Sequence, residues 1–290
     1  KKYAKYLIDQ GENIGILEND YGAVNVDMML LKDLEGENCE LEMIAGGCDA
    51  DCHRRRFRTK LIAMGMCGYD RVIVEPSGIY DVDEFFDVLR DDPIDRWYEI
   101  GNVITVVDAK LEEKLSDEAD YLLASEAANA GCIVLSRSQE ASEKEIENTV
   151  SHLNAAMEKV QCKRRFKDEI VVKDWTAFDE ADYETFLSCG YVPENYRKMH
   201  IEEGETFKSL YFMNLDKTTD EIIEAAKHIL EDKECGRVFR VKGFLKDEAG
   251  EWLELNATHQ EMRICPIPEG QEVVIVIGEE LNEERIQQYF

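Results

Sequence analysis

Long apolar runs are missing from this chain. No stretch approaches the roughly 20 residues that a membrane-spanning helix needs, and no basic leader with a short apolar core opens it, so a cytoplasmic location is expected. Positive charge is scarce: 34 Lys and Arg stand against 63 Asp and Glu, a formal net charge of −29. Phosphate backbones and anionic bilayers are bound through basic faces, so neither nucleic acid nor membrane is expected as a partner. A paired-cysteine framework is absent as well. The nine cysteines are scattered, some inside apolar strands such as those of Cys132 and Cys265, which fits a reducing compartment. His152, His200, His228 and His259 are dispersed, and no Ser–His–Asp or Cys–His set can be identified from order alone. Internal repeats and low-complexity tracts are lacking.

What is present is globular in kind. With 290 residues, 44% of them apolar, the chain can fill one large domain or two ordinary ones. Its acidic surface serves solubility and also gathers cations.

Taken in order, Lys1–Gln10 reads as a helix with Tyr3, Tyr6 and Leu7 on one face, and Asn13–Glu18 as a strand before a polar turn. Cys39–Ile44 is a second strand, followed by helical spacing through Phe57, Leu61 and Met64. Arg71–Glu75 is a third strand, too uniformly apolar for an exposed edge, which halts at Pro76-Ser-Gly78. Helix Val82–Leu89, strand Asn102–Val107, helix Asp117–Asn129 and strand Cys132–Leu135 follow. Asp108 is placed to cap a helix over Ala109–Leu115. Ser142–Val160 is a long amphipathic helix whose Ser142 and Glu145 have capping-box spacing. Strands alternating with helices predict an α/β architecture, a mostly parallel sheet flanked by helices, with ligands at the carboxyl ends of the strands. Glu18, Glu75 and Asp108 fall at such ends.

The rhythm changes over Gly190–Thr206. Beyond it come strand Phe207–Leu215, helix Thr219–Glu231 and four strands in succession: Arg237–Leu245, Glu251–Asn256, Met262–Ile267 and Glu272–Ile277. A last helix begins near Asn282. That pattern predicts a smaller C-terminal α+β domain at 206–290, after a larger domain at 1–198.

The densest chemistry lies in Ala45-Gly-Gly-Cys-Asp-Ala-Asp-Cys-His-Arg-Arg-Arg56. Thiolate, imidazole and carboxylate suit zinc or a similar divalent ion. If the segment opens a helix, Cys48 and Cys52 share a face, and Asp49, Asp51 or His53, with Glu18 from the adjacent strand, could complete a ligand set. Cys52 and His53 are consecutive and diverge on a regular helix; the alternative has Cys52 packed beneath the helix and His53 exposed.

Several segments in order carry a family likeness: Ile16-Leu-Glu-Asn-Asp-Tyr-Gly22, Gly47-Cys48, Val72-Ile-Val-Glu-Pro-Ser-Gly78 and Val103-Ile-Thr-Val-Val-Asp108. Downstream, Arg240-Val-Lys-Gly-Phe244, Trp252-Leu-Glu-Leu255 and Val276-Ile-Gly278 continue it. The chain resembles the CobW family of P-loop GTPases, relatives of UreG and HypB. The resemblance implies a P-loop NTPase fold and hydrolysis of GTP, or another nucleoside triphosphate, with Mg2+. It also implies delivery of Zn2+ or another divalent transition metal to a client metalloprotein. By it, Glu75 and Gly78 sense the terminal phosphate, Glu18 or Asp20 holds magnesium directly or through water, and Cys48 and Cys52 carry the cargo metal. Analogy with related GTPases points to a homodimer.

Three departures accompany the likeness. The Walker A loop, Gly-x-x-x-x-Gly-Lys-[Ser/Thr], is not in these 290 residues, and the family places it just before the Lys1–Gln10 helix, so it is expected upstream of Lys1. Where the family reads guanine with Asn-Lys-x-Asp, this chain has Ser136-Arg137-Ser138-Gln139, which loses the carboxylate that accepts from guanine N1 and N2. The family's Gly-Cys-x-Cys-Cys keeps its first cysteine as Cys48, but the next thiol is Cys52. A non-hydrolysing metal-binding or scaffold protein on the same fold is the alternative expectation.

Overall fold

The computed structural model describes residues 1–20, 26–45, 50–76, 82–167, 169–199, 207–247 and 249–290. They gather into two compact units, Lys1–Gly15 with Arg54–Ile73 and Gly78–Ile201, and Ile16–His53 with Val74–Ser77 and Glu202–Phe290. No helix among the described residues is long and apolar enough to cross a membrane.

In chain order, α1 (Lys2–Asp9) leads to β1 (Ile14–Asp20), α2 (Val26–Leu31), β2 (Cys39–Ala45), α3 (Ala50–Gly65) and β3 (Arg71–Pro76). Strand β1 lies between β2 and β3 in a three-stranded sheet. The apolar run of β3 predicted an inner strand; among the described residues β3 ends its sheet, with Arg71–Val74 half-buried. Such a run reports burial of a strand's faces, not its rank in the hydrogen-bonded order. On α3, Phe57, Leu61 and Met64 recur at helical spacing and are all buried.

Next come α4 (Val82–Leu89), α5 (Ile94–Trp97), β4 (Ile104–Asp108), α6 (Asp117–Ala128), β5 (Cys132–Ser136), α7 (Glu143–Lys159), β6 (Ile170–Val171) and α8 (Glu180–Ser188). Strands β4, β5 and β6 form a parallel sheet, with Ile104 opposite Cys132 and Asp108 opposite Ser136. Parallel neighbours need a crossover, which α6 supplies between β4 and β5. Helix α7 opens with the expected capping box: Ser142 and Glu145 each bond the other's backbone N–H. Helices α6 and α7 are joined through buried Asp120, which meets His152 Nε2 at 2.6 Å and also pairs with Lys159. The helix expected over Ala109–Leu115 does not form. Asp108 Oδ1 instead accepts the Lys110 N–H at 2.9 Å, closing a turn that competes with helix.

The second unit is built on β7 (Phe207–Met213), α9 (Thr219–Glu231), β8 (Arg237–Lys246), β9 (Trp252–Ala257), β10 (Met262–Ile267), β11 (Val273–Glu279) and α10 (Glu283–Gln287). Five antiparallel strands run in the order β10-β9-β8-β11-β7. Ile222, Ala226 and Ile229 of α9 pack on one face with Val241, Leu255 and Val276. On the other face Met29 of α2 packs against Phe244, Val273 and Ile275, and Lys32 Nζ meets Glu269 at 2.9 Å. The register of β8 and β11 slips at Ile277/Gly278. There a Cβ on Gly278 would sit 2.3 Å from the Arg237 carbonyl oxygen, so the bulge requires glycine.

Candidate functional site

In the first unit, the parallel register delivers Asp108 and Ser136 side by side at the carboxyl ends of β4 and β5. The Ala109 N–H donates to the Ser136 carbonyl at 2.9 Å and continues the ladder by one residue. Arg137 follows in the left-handed region, φ 57°, a conformation that costs a non-glycine residue about 1 kcal/mol. That turn brings its guanidinium onto Asp108: Nη2 to Oδ2 at 2.7 Å and Nε to Oδ1 at 3.1 Å. Two-pronged pairing fixes both planes and is the strong geometry for this pair. Thr149 of α7 braces the loop by donating to the Ala109 carbonyl at 2.9 Å and accepting the Leu111 N–H at 3.3 Å.

Of the residues expected at the base end, Ser136 donates weakly to the Val107 carbonyl at 3.4 Å. Ser138 is buried, while Gln139 is exposed with its amide 3.5 Å from Glu140. Ser136 and Arg137 are thus brought to Asp108, and Gln139 projects elsewhere. The Arg137–Asp108 clamp could not be read from either residue alone, because the partners are 29 positions apart. The same holds for Asp120, His152 and Lys159, whose histidine had looked isolated in the sequence. Also on α6, Glu126 keeps some solvent contact, yet burial pushes its carboxyl up to about 8.

In the second unit, Glu18 stands near the end of β1 and is buried, 4% exposed. Taking a carboxylate out of water is costly unless cations or donors face it. Glu75 sits on adjacent β3, just before Pro76, and is exposed. At the start of α3, Cys52 is half-buried and His53 fully buried, the reverse of the exposed His53 set against a metal role. Asp20 belongs to β1 and Asp51 to α3, but their side chains lie outside the described residues, as do Cys48 and Gly78. Among the described residues no group of three or more His, Cys, Asp or Glu is placed to hold a metal ion.

Among solved structures, the chain is similar to the Zn(II)-bound YjiA GTPase from E. coli, at 16% identity and TM-score 0.38, covering 97% of this chain and 89% of that one. It is similar also to a Zn(II)-bound triple mutant of YjiA GTPase, at 14% identity and TM-score 0.37, covering 100% and 92%. Likeness at that level assigns no residue a role. No match was found among curated proteins. Residues 4–167, more than half of the chain, match the family described as CobW/HypB/UreG, nucleotide-binding domain. Together with parallel strands flanked by helices and a separate antiparallel sheet, that match settles the lineage: the chain belongs to the CobW/HypB/UreG family.

Proposed function

We propose that this protein binds and hydrolyses GTP with Mg2+ and couples the cycle to handling of Zn2+ or a similar transition metal for a client metalloprotein. The observation that carries the reading is the nucleotide-binding-domain match over residues 4–167. Glu18 and Glu75 on adjacent strands accord with it, one carboxylate withdrawn from bulk water and one exposed. A sequestered oxygen ligand suits a hard cation such as Mg2+, which keeps several waters and takes one or two carboxylates. Asp20 is the second carboxylate in this reading, and Gly78 lets a backbone N–H approach the terminal phosphate.

For the transition metal, Cys48 and Cys52 supply soft donors, with Glu18 or Asp51 as harder ones. Burial of His53 beside the half-buried Cys52 favours Cys52 over His53 as a ligand, since successive helical side chains diverge. At the base end, the Gln139 amide offers one acceptor in place of two, so selectivity for guanine is expected to be weak. Cytoplasmic residence and a homodimer complete the proposal.

The test is GTP turnover by the full gene product with Mg2+, in competition with ATP. Glu75→Gln should lower turnover about 100-fold, the scale of losing one well-placed polar group. Nucleotide binding without turnover would replace this reading with that of a non-hydrolysing metal-binding protein. In equilibrium dialysis, Cys48→Ser with Cys52→Ser should abolish stoichiometric zinc binding. Unchanged binding would remove both thiols from the metal assignment.

A further inference from the structure

Cys132 and Cys189 are 57 positions apart in sequence, yet the backbone brings them side by side. Neither is a member of the metal motif. The backbone around them explains why they meet. The Val103 carbonyl accepts the N–H groups of Gly131 at 2.8 Å and Cys132 at 3.4 Å, while the Val103 N–H donates to the Gly190 carbonyl at 2.9 Å. Ala130 and Tyr191 form an antiparallel bridge, and the Val192 N–H donates to the Asn129 carbonyl at 3.1 Å.

The two segments touch backbone to backbone. A Cβ on Gly131 would lie 2.1 Å from the Gly190 carbonyl oxygen and 2.5 Å from that of Cys189. The Cys189 thiol is held by the Phe186 carbonyl at 3.2 Å and lies 3.9 Å from the Val103 carbonyl that also receives the Cys132 N–H. The pair is therefore seated in a fixed frame rather than carried on side chains that must search for each other.

The two thiols are unequal. Cys132 is 4% exposed, whereas Cys189 is only half-buried. The neighbouring Cys189 sulfur, and then burial, push the Cys132 thiol up; the Cys132 thiol beside it holds Cys189 below the ordinary thiol range. The accessible sulfur is thus the one that more readily becomes thiolate.

We propose that Cys132 and Cys189 form an oxidative modification site, in which a peroxide converts the neighbouring thiols into an intramolecular disulfide. The Cys189 thiolate attacks one peroxide oxygen, the O–O bond breaks, and hydroxide leaves, giving a sulfenic acid at Cys189. The Cys132 sulfur, losing its proton, then attacks the Cys189 sulfur, and the S–OH oxygen departs as water. In sum, two thiols and one hydrogen peroxide give one disulfide and two waters. The new bond ties the beginning of β5 to the segment that follows α8, closing a long loop across the first unit.

The experiment is titration of native protein with hydrogen peroxide, quenching with an alkylating reagent, and non-reducing tryptic mass spectrometry. Leu115–Arg137 contains Cys132 and Asp174–Arg197 contains Cys189, each as its one cysteine. The expected product is these two peptides linked, 2 Da lighter than their sum and separated by dithiothreitol. In Cys132→Ser the expectation is sulfenic or sulfinic acid on Cys189, and in Cys189→Ser it is unmodified Cys132. Closing the loop should also raise Tm by several degrees, reversibly with dithiothreitol. Absence of the link when other cysteines are already oxidised, or a link from either residue to a third cysteine, would overturn the proposal. The wild-type map decides the question even where a variant fails to fold, and it is independent of nucleotide or metal binding.

Discussion

The parallel sheet β4-β5-β6 and the antiparallel sheet β10-β9-β8-β11-β7 use the same local chemistry to different ends. In the parallel sheet all carboxyl termini point one way, so Asp108, Ser136 and Arg137 collect at a single rim. In the antiparallel sheet adjacent strands end at opposite rims, and its polar groups pair across neighbours, as Arg240 does with Asn256 at 2.7 Å. One face of that sheet is packed under α9, and α2 packs against part of the other. Parallel pairing concentrates reactive groups, while antiparallel pairing distributes them and keeps its interior for packing.

Three measurements bear on that contrast. The largest effect is expected in the antiparallel sheet, where Phe244→Ala removes a fully buried ring and should cost about 3–5 kcal/mol in urea unfolding. A loss below about 1 kcal/mol would mean that this face is not a packed interior.

A middling, pH-dependent effect belongs to the parallel sheet's cover. The Glu126 carboxyl is raised from an ordinary carboxylate value to about 8 in the folded chain. The native state therefore holds a proton that the unfolded chain releases at lower pH. Stability is full below the unfolded value and falls as pH rises from about 4.5 to about 8. Glu126→Gln should gain about 2 kcal/mol at pH 8, allowing for the residue's solvent contact, and almost nothing at pH 5. An equal change at both values would show that ionisation is not the cause. The smallest effect is expected from Arg137→Gln. Its clamp on a partly exposed Asp108 should contribute under about 1 kcal/mol to unfolding, so a larger loss would make the rim a structural keystone.

What the sequence discloses follows the range of the forces involved. Strand β5 is readable from its apolar run, the buried stripe of α3 from its spacing, and the α7 capping box from residues three apart. The helix expected after Asp108 fails because one side-chain hydrogen bond to Lys110 makes a turn the better local choice. The rim is half legible. Its strand ends can be located, but the clamp of Arg137 on Asp108 depends on parallel register and on one left-handed residue, neither of which leaves a periodic trace. Likewise, Cys132 and Cys189 become neighbours only once Gly131 lets two backbones meet. On the metal side, the family motif points to Cys48, which lies outside the described residues; Glu18 and His53 are buried and Cys52 half-buried, and the described residues do not gather into a ligand group.

Met29 carries a mechanical consequence. It belongs to the helix that follows β1, yet its side chain is part of the apolar layer formed by Phe244, Val273 and Ile275. A shift of α2 would be felt by the far-downstream strands β8 and β11 through this contact, and by the segment before β11 through the Lys32–Glu269 pair, much as a tendon inserts on a distant bone. The antiparallel sheet is in that sense harnessed to the helix that comes after the Glu18 strand in the chain.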